Sequence, residues 1–178
     1  GRTQARIAVL LLDVDYFKTI NDSLGHSAGD RLLALIGKRL LSELGPDDTA
    51  ARFGGDEFAI LLEHCHGIDD ARALADRLLA SLRPMFVIEE RSLLVRASIG
   101  ITVNQEGKTN PEDLLREAEL AMYAAKAQGR NRYAEVNAAM GQQAQERLEM
   151  EAELRLAIER GELRVFYQPI VHLATERV

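Results

Sequence analysis

The residues best placed to do chemistry in this sequence are carboxylates set beside glycine or at the end of an apolar run. Gly54-Gly55-Asp56-Glu57 lies between two mixed apolar stretches, Thr49 to Phe53 and Phe58 to Leu62, which predicts a β-hairpin with acid at its tip. Two adjacent glycines supply the positive φ angles of a tight turn, and without a Cβ they let a phosphate-bearing ligand approach the backbone. Taken alone, a Gly-Gly turn with solvated acids explains the same four residues. A second acidic group, Asp13-Val14-Asp15, follows the apolar run Ile7 to Leu12. Carboxylates placed where a buried strand emerges are rigidly held yet reach solvent, a geometry suited to a divalent cation. One of Asp13 and Asp15 is expected only to cap the helix that follows.

If the hairpin lies beside that strand, as sequential strands tend to, Asp13, Asp56 and Glu57 converge. Two or three oxygen ligands, with water and phosphate completing the shell, is how Mg²⁺ is usually held. A two-metal site would orient and activate a hydroxyl and neutralise charge at phosphorus. Lys18, Lys126 and Arg130 would supply positive charge for a triphosphate. Lys126 and Arg130 share a face only if their helix runs through both, and in isolation they would merely complement a helix C-terminus. Chemistry and spacing therefore point to metal-dependent phosphoryl or nucleotidyl transfer. His64 and His66 share a strand face, but no further ligand lies close in sequence, and zinc is not expected there. Cys65 reads as a small, at least half-buried residue.

The elements that must position these groups follow from periodicity. Ile7 to Leu12 is apolar at both parities, as in a central strand buried on both faces. Tyr16 to Leu24 reads as a short helix ending at Gly25, and a longer one runs to Leu44, with Ser27 as N-cap and Asp30 completing a capping box. In the second hairpin strand Phe58, Ile60 and Leu62 face one way and Ala59, Leu61 and Glu63 the other. A core helix starts at Asp69-Asp70 and closes at Pro84. Phe86 to Glu89 and Leu93 to Val103 read as strands joined by Glu90-Arg91-Ser92, with Gly100 marking a bulge or a close backbone approach. Asn110-Pro111-Glu112-Asp113 is a strong helix start, and that helix heads for Gly129, followed by a short strand at Arg132 and Tyr133. Residues 138 to 160 have the weak apolar stripe of a connecting helix, Gly161 ends it, and Leu163 to Val178 reads as one strand-like segment. The expected division is 1–136 as the main domain, 137–161 as linker helix and 162–178 as the start of another domain.

Composition narrows the partners. The 178 residues are 47% hydrophobic, enough for a sizeable core. A formal charge of -6 argues against binding a nucleic-acid polymer, so any nucleotide must be held locally. A single cysteine excludes an internal disulfide and fits a reducing, cytoplasmic compartment. No apolar run approaches the roughly 20 residues of a membrane-spanning helix, so any anchoring is expected from regions outside this stretch. The opening residues lack signal-peptide character, and without an initiating Met the chain reads as part of a longer protein.

Several linked stretches resemble one family, the GGDEF diguanylate cyclase domain: Leu12-Asp13-Val14-Asp15-Tyr16-Phe17-Lys18, Ile20-Asn21-Asp22, Gly25-His26, Gly29-Asp30, Arg52 to Phe58, and Tyr123-Ala124-Ala125-Lys126 to Gly129-Arg130-Asn131. The resemblance covers residues 6 to about 135. It implies an α+β, palm-like fold related to adenylyl cyclases and ferredoxin-like domains, a mostly antiparallel sheet flanked by helices. It implies that each domain binds one GTP and that two facing domains join two GTP molecules into cyclic di-GMP, releasing pyrophosphate. By the same resemblance Asp13, the Val14 carbonyl, Asp56 and Glu57 would hold Mg²⁺ or Mn²⁺, and one of the two hairpin acids would help deprotonate the 3′-hydroxyl. Asn21 and Asp30 would read the guanine edge, discriminating against adenine. Lys18, Lys126, Arg130, the backbone around Phe17 and the close approach at Gly54 and Gly55 would serve the phosphates.

Departures from the family pattern carry their own expectations. The Arg of the inhibitory Arg-x-x-Asp product site is replaced by Gly45, leaving Asp48 alone, so product feedback through that site should be weak or absent. The family's leading segment before the first strand is not present in this sequence. Glu162-Leu163-Arg164-Val165-Phe166-Tyr167-Gln168-Pro169-Ile170-Val171 is similar to the opening of EAL cyclic di-GMP phosphodiesterase domains, without the metal ligands of that family. A rival function is therefore a GTP-binding regulatory domain that controls an attached phosphodiesterase without making product.

Overall fold

Six consecutive apolar residues make β1 (Arg6–Val14) the middle strand of a five-stranded sheet, with apolar material packed on both of its faces. The computed structural model describes residues 6–104, 110–137, 150, 153–154, 156–158 and 160–167, and divides into two units, Gly1–Gly141 and Gln142–Val178. In the first unit β1 is followed by α1 (Phe17–Leu24), α2 (His26–Ser42), β2 (Thr49–Gly54), β3 (Glu57–Cys65), α3 (Ile68–Leu82), β4 (Phe86–Ile88), β5 (Arg91–Leu93), β6 (Ala97–Val103), α4 (Pro111–Ala127) and β7 (Arg132–Glu135). The sheet order is β2-β3-β1-β6-β7. All pairings are antiparallel except β6 with β7, which α4 joins as a parallel crossover. The α+β, mostly antiparallel architecture is the expected one.

Strand alternation sorts the core. Ala8, Leu10, Leu12 and Val14 join Phe58, Ile60, Ile99 and Ile101 beneath α2 and α3, while Val9 and Leu11 pack with Leu114, Ala118 and Met122 of α4. Gly100 lets α4 lie on β6: a Cβ there would collide with the Ala118 carbonyl and the Met122 amide. The close approach expected at Gly100 is therefore real, and no bulge is needed to explain it. Asn110 caps α4 by accepting from the Glu112 amide at 3.2 Å, with Pro111 in the first turn. Arg72 of α3 holds β7 through a two-pronged ion pair with Glu135, at 2.6 and 2.7 Å.

Three local expectations are corrected. The capping box at Ser27 and Asp30 does not form: α2 begins two residues earlier, with Gly25 at the N-cap position and no side-chain cap. The stretch Leu93 to Val103 is not one strand. β4 and β5 form a separate two-stranded ribbon turned at Glu89 and Glu90, both at positive φ (49° and 64°), and β6 starts afresh at Ala97. Two glutamates in a left-handed turn carry no Gly or Asn signal, so the turn was placed too late. In the hairpin only Gly55 has positive φ (47°); Gly54 is the last residue of β2, pairs with Glu57, and follows a one-residue bulge at Phe53.

In the second unit residues 150, 153–154 and 156–158 are helical, and the helix ends at Gly161 (φ 66°), with the Glu162 amide donating to the Ala157 carbonyl at 2.9 Å. Residues 162–167, the first part of the EAL-like stretch, form no strand, and the rest of the expected strand-like tail lies outside the described residues. No helix among the described residues is long and apolar enough to cross a membrane.

Candidate active site

The acidic groups come together at one end of the sheet because two ladders place them there. Asp13 sits directly opposite Glu57 across β1 and β3, and opposite Ser98 across β1 and β6. The Val14 amide donates to the Asp56 carbonyl at 3.2 Å, tying the hairpin turn to the end of β1. Arg52 locks that turn from the other side, its guanidinium donating twice to the Gly55 carbonyl at 2.9 and 2.7 Å. This role for Arg52 has no signal in a four-residue motif.

Lys126 reaches over from α4 and places its ammonium 2.7 Å from Asp13 Oδ2. Arg130 is not on the same helix face, because α4 ends at Ala127 and Gly129, Arg130 and Asn131 form a left-handed turn (φ 109°, 61° and 50°). The turn carries Arg130 to Asp15 Oδ1 at 3.9 Å and under the Tyr16 ring, 4.8 Å from its guanidinium carbon to the ring centre. Asp15 does not cap α1, whose N-cap residue Tyr16 makes no side-chain bond. Its buried carboxylate accepts from Ser98 Oγ at 2.8 Å and from the Asn131 amide at 3.0 Å. Neither aspartate is therefore a helix cap.

Asn21 and Asp30, expected from the resemblance to read the nucleotide, lie on the helical side. Asn21 of α1 rests its amide on Gly29, where a Cβ would collide with it, one residue before Asp30. Its Oδ1 is buried without a hydrogen-bond partner, and an orphan acceptor of this kind suits a ligand's N–H donor. Asp30, freed from capping, is exposed at the mouth of a groove of about 290 Å³ lined by Leu33, Ala34, Arg52 and Phe58. Phe17 is buried and Lys18 exposed at the start of α1, where the first helical amides lack intrahelical partners.

Burial raises the Asp13 carboxyl above the ordinary carboxylate range, opposed by the hydrogen bond and charge of Lys126 and reinforced by Asp56 and Asp15. Burial likewise raises Glu57, with the charge of Asp13 adding to it. Closely spaced acids with a single ammonium among them form an all-oxygen donor set that already accepts a cation, which fits a hard divalent ion. No group of three or more acidic, histidine or cysteine side chains among the described residues is arranged to hold a metal ion, so such an ion would draw most of its ligands from water or substrate.

A profile of the family described as diguanylate cyclase, GGDEF domain, matches residues 1–132. The chain belongs to the GGDEF diguanylate cyclase domain family. Among its relatives, TpbB of Pseudomonas aeruginosa, named a diguanylate cyclase, is 42% identical over 135 residues, 74% of this chain and 31% of its own length. MucR of the same species, named a bifunctional diguanylate cyclase/cyclic di-GMP phosphodiesterase, is 39% identical over 170 residues, 96% of this chain and 25% of its own. NbdA, named a cyclic di-GMP phosphodiesterase, is 38% identical over 172 residues, 97% of this chain and 22% of its own. The chain thus spans a third or less of each of these relatives. A solved form of TpbB comprising only its GGDEF domain superposes with a TM-score of 0.77 at 37% identity, covering 80% of this chain and 83% of that one.

In this GGDEF domain Asp48, expected from the resemblance to be what remains of a product site, has a structural occupation. Asp48 accepts from the Gly45 amide at 2.9 Å and from the Glu63 amide at 3.2 Å, which closes the turn into β2 and pins it to β3. His66 Nδ1 lies 3.0 Å from Asp70 Oδ2 at the start of α3.

Proposed function

We propose that this domain condenses two GTP molecules into cyclic di-GMP at an interface between two copies, each site holding one nucleotide. The 3′-hydroxyl of one GTP attacks the α-phosphorus of the other, a P–O bond forms, the α–β bridging bond breaks, and pyrophosphate leaves; the reciprocal attack closes the ring. The hydroxyl proton passes to a hairpin carboxylate, Asp56 or Glu57. Asn21 and Asp30 bind the guanine edge, and Lys18, Lys126, Arg130 and the backbone at Phe17, Gly54 and Gly55 hold the phosphates. Asp13, the Val14 carbonyl, Asp56 and Glu57 would hold Mg²⁺ or Mn²⁺, which supplies Lewis-acid neutralisation of charge on the phosphates.

The observation that carries this reading is the pairing of Glu57 with Asp13 across one ladder rung, with Lys126 at 2.7 Å, in a member of the family. Incubation with GTP and Mg²⁺ or Mn²⁺, followed by mass analysis of the nucleotides, tests it: cyclic di-GMP is expected. GTP that stays bound and unconverted at high protein concentration would instead support a regulatory GTP-binding domain. By analogy with the bifunctional relative, the parent protein joins this domain to an EAL phosphodiesterase domain, and the cytoplasm, which supplies GTP and Mg²⁺, is its proposed location.

A further inference from the structure

The second aspartate of Asp13-Val14-Asp15 has no part in the chemistry just described, yet it is the more deeply enclosed of the two: its side chain is 0% exposed, against 11% for Asp13. A buried carboxylate must be compensated, and the three groups that do so come from two places, β6 and the turn after α4. Ser98 of β6 donates to Oδ1, the Asn131 amide donates to Oδ2, and Arg130 lies beside it. With both oxygens engaged by donors from elsewhere in the fold, Asp15 is no helix cap. What it holds is the turn after α4. Arg130 and Asn131 sit at φ 61° and 50°, a conformation that costs a residue with a Cβ about 1 kcal/mol or more. The Asp15 to Asn131 hydrogen bond is one tie that maintains it; the Arg130 amide bond to the Ala125 carbonyl, 3.1 Å, is another. The same aspartate and its neighbour Tyr16, itself at φ 60°, flank the Arg130 guanidinium with a carboxylate and a ring face.

We infer that Asp15 is a positioning residue: through Asn131, and by its charge beside the guanidinium, it fixes the turn that presents Arg130 to the β- and γ-phosphates of GTP, with Ser98 fixing Asp15 in turn. The inference rests on the reading of Arg130 as a phosphate contact. Its test separates the two. Binding of α,β-methylene GTP, which cannot lose pyrophosphate, and of GMP is measured with Mg²⁺ for wild type, Asp15→Asn, Arg130→Ala and the double variant, with thermal melts to confirm folding. Asp15→Asn is expected to weaken the triphosphate analogue roughly tenfold and to leave GMP within about twofold. The double variant is expected to bind no worse than Arg130→Ala, because Asp15 acts through Arg130. A loss shared equally by both ligands, no loss in a folded variant, or additive losses in the double variant overturns the assignment. If Arg130→Ala itself leaves the analogue's affinity unchanged, the phosphate reading of Arg130 falls and takes this inference with it. If only Asp15→Asn is silent, the positioning role alone falls. Should Asp15→Asn fail to fold, Ser98→Ala, which removes one donor and keeps the carboxylate, decides in the same way: a smaller loss confined to the triphosphate supports the role, and any other result overturns it.

Discussion

Asp13 and Glu57 face each other across a ladder rung, and burial raises both carboxyls. A carboxyl with a raised value in the folded chain binds protons more readily folded than unfolded, so its ionised form opposes folding at neutral pH and that opposition fades as the pH falls through the raised value. Glu57→Gln is therefore expected to raise the melting temperature of EDTA-treated protein at neutral pH, and to lose that advantage in mildly acidic buffer. Mg²⁺ should stabilise the wild type more than this variant, and more Mg²⁺ should be needed as the pH is lowered, because protons and metal compete for the same oxygens. Asp56→Ala is expected to lower cyclic di-GMP synthesis by more than about a hundredfold while the melt is nearly unchanged, since a half-buried acid in a turn contributes little to the core. The placement of Asp13, Asp56 and Glu57 was legible because each ends or tips an element that periodicity announces. That of Asp15 was not: its partners Ser98 and Asn131 lie 83 and 116 positions away, so no local pattern distinguishes it from a cap.

Among the elements, two glycines and one aspartate separate packing from function. Gly100→Ala would drive a methyl group into the α4 backbone, which cannot give way as a side-chain end can, and should cost about 2–4 kcal/mol in urea unfolding. Gly29→Ala would meet only the Asn21 carboxamide and the edge of Phe17; the fold should survive while Asn21 is displaced, and the preference for GTP over ATP should fall in a competition assay. Asp48→Ala is expected to leave the response to cyclic di-GMP unchanged, yet cost about 1–3 kcal/mol, because two backbone amides lose their acceptor. Helices and most strands could be read from apolar spacing, and Asn110-Pro111 marked α4 to the residue. The α2 start was misread because Ser27 and Asp30 match a capping box that the chain, turning earlier at Gly25, does not use. The reading of Leu93 to Val103 as one strand runs the end of β5 into β6, and it places the turn before it late because that left-handed turn is made of glutamates.

At the scale of the whole molecule, one site holds one nucleotide in the proposed reaction, so specific activity should rise with protein concentration and level off once two copies pair. Dilution series followed by product quantification check this; a specific activity independent of concentration far into the dilute range would argue for a preformed dimer. Net charge of -6 means that two copies meet against mutual repulsion, and moderate salt should favour the pairing when the starting buffer is dilute. The contact of α4 with the sheet sets one more property. Gly100 brings two backbones together with no side chain between them, and Lys126 lies one helical turn beyond Met122, which touches that contact. In an engineer's terms Gly100 is a locating pin. The reach of the ammonium to Asp13 is indexed from main-chain surfaces, which have no rotamers to exchange, so substitutions among Leu114, Leu115 and Met122 can retune how firmly α4 is clamped without resetting where its working end arrives.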